Sequence, residues 1–338
     1  MKFDTRRVGE TSLEISTLGL GTASLAGNMF AVPEPEAREV ITAALDAGIS
    51  YFDTAPFYGF GKAEHYVGDA LRSRREGTIL STKVGRLLAP HSGAYDPPND
   101  WKEPFPFVDV FEYTYDAIMR AYEDSLQRLG LNAIDIIYVH DIGVTTHGEE
   151  KNAVLWDQLA NQGGYKALRE LRDSGEISAI GMGVNEWEVL MEAFKIGDWD
   201  QFLLAGRYTL LEQTSLSPFL ETCLARKSTV VIGGPFNSGI LVGGDTWNYE
   251  KAPEEIVRKV AIIKSVCADY GVEMPAAALR FPLTHPAVSS VIPGPRTPGE
   301  LSQILKWWAT DIPSEMWDSM AAKGLFAPGT PLPSGKTV

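Results

Sequence analysis

Apolar positions along the chain fall into short runs separated by longer amphipathic stretches, and that alternation predicts the architecture. The opening DTRRVGETSLEIS alternates around Gly9-Glu10 and predicts a small β-hairpin. ISTLGLGT (15–22) is a short apolar run ending in Gly and Thr, the first strand of a rhythm. EPEAREVITAALDAG (34–48) has helical periodicity, with acids in its first turn and glycine at its end. Strand ISYFDT (49–54) then leads into helix AEHYVGDALRS (63–73), and strand TILSTKVG (78–85) into helix VFEYTYDAIMRAYEDSLQRLG (110–130). Strands IDIIYVHD (134–141), ISAIGMGV (177–184), DQFLLAGRY (200–208), STVVIGG (228–234) and AVSSVIPG (287–294) follow, each trailed by a helix. PGELSQILKWWAT is read as the last helix, and APGTPLPSGKTV as an irregular or frayed tail.

Strands that alternate with helices pair in parallel, each crossover helix covering the sheet. Eight such units predict a closed (β/α)8 barrel, an α/β fold in which residues 1–338 form one domain. A doubly wound open sheet is the rival, but GLGTASLAG lacks the G-x-G-x-x-G spacing usual after its first strand. Three connections, near 86–109, 142–162 and 234–252, are long and follow predicted strands. They therefore emerge on the C-terminal face, where such barrels carry their active sites. The first, containing AYDPPNDWKEPFPF, is rich in proline and aromatics and reads as a lid or binding loop.

Composition narrows the function. With 338 residues, 44% apolar and 22% charged, the chain is an ordinary globular protein with a substantial core. A net charge of −14 repels phosphate backbones and anionic lipid, so neither nucleic acid nor a membrane surface is an expected partner. Cys223 and Cys267 are isolated on amphipathic stretches and fit a reducing compartment. With no signal-like segment and no long apolar stretch, the chain reads as soluble and cytoplasmic. No heptads are present, and the oligomeric state stays open.

The barrel reading changes how FDTAPFYGFG (52–61) is understood. Asp53 ends one strand and Tyr58 lies in the loop after it; Lys83 and His140 end the next two. Neighbouring strands thus deliver an acid, a phenol, an ammonium and an imidazole to one mouth. A lysine closing an apolar run needs a counter-charge when buried, and Asp53 can supply it. An ammonium beside a phenol favours phenolate. Tyr58 is then expected to exchange a proton at a carbonyl or alcohol centre, with His140 bonding the substrate oxygen or relaying the proton. The five histidines show no metal-ligand spacing, so no metal is expected. The absence of G-x-S-x-G argues against a serine hydrolase.

FDTAPFYGFGKAE, LSTKVGR, IDIIYVHD, IGMGVNEWEVL, GGPFNSGIL and VIPGPRTPGELSQ together resemble the aldo-keto reductase superfamily over nearly the whole chain. The resemblance implies a (β/α)8 barrel holding a nicotinamide cofactor at its C-terminal face, and a catalytic tetrad of Asp53, Tyr58, Lys83 and His140. It implies cofactor contacts from Thr22, Ala23, Asp53 and Asn185, the last holding the carboxamide; Val184 stands where relatives usually have serine. It also implies contacts from Tyr208, from Phe236 on the nicotinamide ring, and from a pyrophosphate cradle of Pro235, Asn237, Ser238, Gly239 and Leu241.

NADP-dependent relatives show a lysine where this chain has Gly294, and an arginine where it has Glu300. A carboxylate repels a 2'-phosphate and accepts bonds from ribose hydroxyls, so NAD is the expected cofactor. Arg296 is the counterweight, able to reach a phosphate, and Gln303 sits at the adenine position. NAD goes with oxidation, and GGPFNSGIL resembles the branch that converts cyclic hemiacetals to lactones. The implied substrates are aldoses such as L-fucose, with pyridoxal beside them. Phe57, Trp101, Phe105 and Trp187, with Phe107 and Trp247, are the candidate walls, since aromatics pack on sugar and pyridine faces alike. Two rivals keep the tetrad: an NADP-dependent aldehyde reductase, and a cofactor-bound regulatory subunit of a potassium channel.

Overall fold

Thr5–Arg7 (β1) and Glu14–Ser16 (β2) pair antiparallel, forming the hairpin expected around Gly9. Gly9 takes φ +51°, and a Cβ there would stand 2.7 Å from Asp200 O, so the turn requires glycine. Val8 and Ile15 on this hairpin are fully buried against Tyr51, Ile136 and Val231, closing the bottom of the molecule. The computed structural model describes residues 2–93, 101–248, 250–333 and 335–338. Residues 94–100 of the first long connection lie outside these.

Eight strands make one parallel sheet: Leu20–Gly21 (β3), Tyr51–Asp53 (β4), Ile79–Val84 (β5), then, beyond an inserted hairpin of Arg86–Pro90 (β6) and Phe107–Phe111 (β7), Ile136–His140 (β8). Ala179–Val184 (β9), Gln201–Ala205 (β10) and Thr229–Gly233 (β11) follow; a second small hairpin, Thr246–Trp247 (β12) with Glu250–Lys251 (β13), precedes the final strand Val288–Ile292 (β14). A parallel bridge between Leu18 and Val291 joins the last strand to the first. Gly19 N–H donates to Val291 O and Val291 N–H to Thr17 O, both at 2.9 Å. The sheet is a (β/α)8 barrel, as expected.

Two cores result from strand alternation. Outward residues such as Phe52, Leu80, Ile137 and Phe202 pack beneath the helices in the larger core. Inward residues Tyr51, Ile136, Tyr138, Leu203, Val231 and Ile292 fill the barrel.

Several boundaries depart from expectation. Glu14–Ser16 belongs to the hairpin, so the first barrel strand is shorter than ISTLGLGT. Val110 and Phe111 belong to β7, and the helix that contains AIMRAYEDSLQRL starts later, at Tyr115–Leu129, behind an N-cap at Thr114. The connection at 142–162 is largely helix, Val144–Ala160, broken by Gly148 at φ 71°. PGELSQILKWWAT is not the last helix: Ser314–Ala322 follows and buries Met316, Trp317 and Met320. The tail is irregular but not frayed: Pro331 bridges Thr337, and Thr330 and Leu332 are buried.

Candidate active site

β4, β5 and β8 are adjacent and end together, and their last inward residues are Asp53, Lys83 and His140. Lys83 Nζ bonds Asp53 Oδ2 at 2.7 Å and Thr54 O at 2.8 Å, with both side chains at most 2% exposed. Ser81, two residues before Lys83 on the same face, donates to Asp53 Oδ1 at 2.7 Å. Gly183 on β9 leaves the lysine its channel: a Cβ there would lie 3.3 Å from Lys83 Cε. Burial raises the Asp53 pKa above the usual carboxylate value, opposed by the Lys83 ammonium and the Ser81 hydroxyl.

The turn after β4 carries Tyr58 back over this pair. Gly59 and Gly61 adopt φ of 61° and 97°, and a Cβ on Gly59 would meet Ala26 O at 2.7 Å. The Tyr58 ring centre lies 4.8 Å from Lys83 Nζ and 5.9 Å from the His140 ring, nearly perpendicular to it. His140 is fixed through its backbone, where Tyr113 OH donates to its carbonyl at 2.6 Å. Burial, then Arg86 and Lys83, hold its imidazole well below the usual pKa, so it is neutral at pH 7. The four residues of the expected tetrad thus meet at one point.

Two joined cavities open above them. The larger, about 490 Å³, is lined by Phe57, Tyr58, Trp101, His140, Asp141 and Val184 among others. The smaller, about 240 Å³, runs over the ends of β3, β10, β11 and β14 and is lined by Thr22, Ala23, Asp53, Asn237, Ser238 and Gly294. Asn185 and Tyr58 line both.

The smaller cavity suits a dinucleotide. Gly21, Gly206, Gly233, Gly234 and Gly294 keep its floor free of side chains. Asn237, Ser238 and Gly239 take consecutive left-handed conformations (φ 47°, 59° and 103°), wrapping the backbone around its end. Such curved loops suit phosphate groups. Asn237 Oδ1 is buried without a hydrogen-bond partner, an acceptor available to a ligand.

Other candidates stand apart. Tyr208 is in the core, packed on Phe281 and His285 at 5.4 and 5.6 Å, and lines neither cavity. Phe236 lies edge-on to Trp307 at 6.0 Å; Pro235 and Leu241 are buried beside it. Arg296, Glu300 and Gln303 lie at the start of Pro298–Trp308, outside both linings. Arg296 Nη2 bonds Glu300 Oε1 at 2.5 Å, and its N–H donates to Oε2 at 2.8 Å. Burial opposes the charge on Glu300, but the Arg296 bonds prevail and hold its pKa below the usual value. Of the proposed walls, Phe57 and Trp101 line the larger cavity, edge to face at 5.4 Å. Phe105 packs on His65 at 5.5 Å; Trp187, Phe107 and Trp247 are half-buried and off the lining.

Some residues at the site were not anticipated. Asn28 lines both cavities and bridges Trp101. Arg207 donates to Asn185 O at 2.9 Å and Asn248 Oδ1 at 2.8 Å, fixing the loop that bears Asn185. Arg86 and Asp141 form a buried ion pair beside His140. Asp141 directly follows β8, and Arg86 opens β6 one glycine beyond β5.

Among the described residues no group of His, Cys, Asp and Glu is arranged to hold a metal ion, and no helix is long and apolar enough to cross a membrane. Residues 17–324 match the model of the Aldo/keto reductase family. The chain is 42% identical over 337 residues to pyridoxal 4-dehydrogenase of Microbacterium luteolum, covering 96% of this chain and 98% of that one. It is 35% identical over 325 residues to D-threo-aldose 1-dehydrogenase of a Pseudomonas species, covering 93% and 95%. An aldo-keto reductase from Bacillus halodurans, in its holo form, superposes with a TM-score of 0.74 at 23% identity, covering 96% of this chain and 97% of that one. The chain belongs to the aldo/keto reductase family, oxidoreductases of carbonyl and CH–OH groups that use a nicotinamide cofactor.

Proposed function

We propose that this protein is an NAD-dependent dehydrogenase that oxidises a cyclic hemiacetal to its lactone. The observation that carries the chemistry is the Tyr58 ring 4.8 Å from a lysine that is locked on a buried aspartate. Tyr58 removes the proton from the hemiacetal hydroxyl. Lys83 stabilises the negative charge on the phenolate, and Asp53 keeps the ammonium in place. Neutral His140 orients the substrate oxygen by hydrogen bonding. A bound nicotinamide would supply the acceptor for the hydride that leaves the hemiacetal carbon. The C–O bond then becomes the lactone carbonyl, and the proton passes from Tyr58 to solvent.

The cofactor cleft has residues suited to each part of a dinucleotide: Asn185 for the carboxamide, Asn237 and Ser238 for the pyrophosphate. The Arg296–Glu300 pair supports NAD. The arginine is occupied by a carboxylate that repels a second phosphate. Phe57 and Trp101 offer flat faces to a pyridine or a sugar ring. The 42% relationship to a protein named pyridoxal 4-dehydrogenase supports pyridoxal first, and the 35% relationship to D-threo-aldose 1-dehydrogenase supports aldoses next.

The test is a panel of pyridoxal, L-fucose, D-arabinose, L-galactose and L-xylose with NAD or NADP, followed by nicotinamide reduction at mildly alkaline pH. NADH formation with at least one member is expected. Silence throughout, with brisk NADPH oxidation by simple aldehydes, would overturn both the cofactor and the direction.

A further inference from the structure

The strand end IDIIYVHD carries one residue beyond His140 that the proposed reaction does not use. Asp141 has φ 48°, a left-handed conformation that aspartate tolerates better than most side chains. Its N–H still donates to Gly183 O at 3.0 Å, so the kink is anchored in the barrel rim. The kink leaves the residue on the wall of the larger cavity, with Phe57, Tyr58 and Trp101. Its Oδ2 lies 3.5 Å from His140 Nε2 and accepts a bond from Arg86 Nη2.

Arg86 is only 5% exposed, and both of its terminal nitrogens are bonded to acids, while its Nε is buried without a partner among the described residues. Its other arm bonds Asp109 Oδ2 at 3.1 Å. Its guanidinium lies 3.8 Å from the Phe57 ring centre and 4.5 Å from that of Phe111. A guanidinium stacked on two rings and bonded to two acids is not free to meet an anionic substrate. Lys83, which does line the cavity, is committed to Asp53. Of the two carboxylates on this guanidinium, Asp141 is the one that lines the cavity.

We propose that Asp141 is the substrate-recognition residue of this site. Its carboxylate accepts a hydrogen bond from a hydroxyl or ring N–H of the bound hemiacetal, and with Arg86 locked the wall rejects substrates bearing a phosphate or carboxylate. Arg86 acts as a positioning residue that holds the acid in place. This inference rests on the hemiacetal-dehydrogenase reading and names the chemistry of its substrate: neutral or cationic rings rich in donors.

The test compares wild type with Asp141→Ala and Asp141→Asn. For pyridoxal or the best aldose, Asp141→Ala should raise KM about 10- to 100-fold, the loss expected for a hydrogen bond to a charged group. kcat should change far less, and the NAD dissociation constant, read by protein fluorescence, should not change. Asp141→Asn, which keeps an acceptor oxygen, should fall between and carries the test if the alanine variant does not fold. Wild type should prefer L-galactose over its uronic acid, and Asp141→Ala should narrow that preference. A KM within threefold of wild type, or an unaltered preference, would overturn the inference. Calorimetric binding of pyridoxal and L-galactose to the NAD-loaded Tyr58→Phe protein, with and without Asp141→Ala, separates this from the parent reading, because it needs no turnover. Weaker binding to Asp141→Ala supports the inference; equal binding, or none to either protein, overturns it.

Discussion

Lys83 Nζ stands 2.7 Å from Asp53 Oδ2 with both side chains sealed from solvent. Removing one member of such a pair strands the other as a buried charge, which costs about 3–5 kcal/mol. Lys83→Met is therefore expected to lower the unfolding free energy by about 3 kcal/mol at pH 7 in urea titrations. The deficit should shrink as pH falls and Asp53 takes up a proton. A loss below about 1 kcal/mol at pH 7 would mean that the pair is not buried as described.

Tyr51 sits inside the barrel beneath that pair. Its hydroxyl lies 3.0 Å from Ser81 Oγ and 3.1 Å from Tyr138 OH, and Tyr138 OH continues to Gln201 Oε1 at 2.7 Å. Gln201 Nε2 bonds Ser289 Oγ at 2.7 Å, so a chain of polar groups runs from Asp53 across the barrel. Tyr51→Phe opens this chain and should cost about 1–3 kcal/mol in stability, since it leaves buried groups short of a partner. A neutral effect in the same titrations would show that the chain carries no energy.

Glu300 holds Arg296 through three of its donors, the backbone N–H, Nε and Nη2. Freed by Glu300→Ala, the guanidinium becomes available to a 2'-phosphate, and a repelling charge is lost. The ratio of NADP to NAD affinity is expected to rise about tenfold or more, read by fluorescence titration. An unchanged ratio would remove this pair from cofactor selection.

His285 is buried, accepts the Ala287 N–H at Nδ1 (3.2 Å), and has its pKa pushed from 6.5 down to about 4, chiefly by burial. The unfolded chain therefore binds this proton before the folded one does. Its contribution is complete above pH 6.5 and is lost progressively toward pH 4. His147, also shifted to about 4, acts with the same sign; Asp53 and Asp141, raised by burial, act oppositely. Unfolding free energies of wild type and His285→Gln, measured from pH 7 to 4, should converge toward acid. Parallel curves would contradict the assignment.

The strand-end residues were legible because period and position coincide: each follows an apolar run, and adjacent runs become adjacent strands. Asp53, Tyr58, Lys83 and His140 needed only the order of strands. Arg86, Asp109 and Asp141 did not announce themselves, because their meeting depends on β6 and β7 folding back as a hairpin over β8. The Ser81–Tyr51–Tyr138–Gln201 chain was hidden for a similar reason: inward polar residues on β4, β5, β8 and β10 pair only once the barrel closes. Val144–Ala160 shows no helical period in the sequence, because its first half is polar and carries Gly148. Ser314–Ala322 is short, and its buried Met316, Trp317 and Met320 span too few turns to show a period.

The proposed function assigns Tyr58 as the proton-transferring group of an NAD-dependent dehydrogenase. The most direct test measures kcat/KM and the NAD dissociation constant for wild type and Tyr58→Phe side by side, with the best substrate of the hemiacetal panel. A loss of about 10²- to 10⁴-fold in kcat/KM is expected, with NAD affinity unchanged. A phenylalanine variant that turns over within threefold of wild type would contradict it.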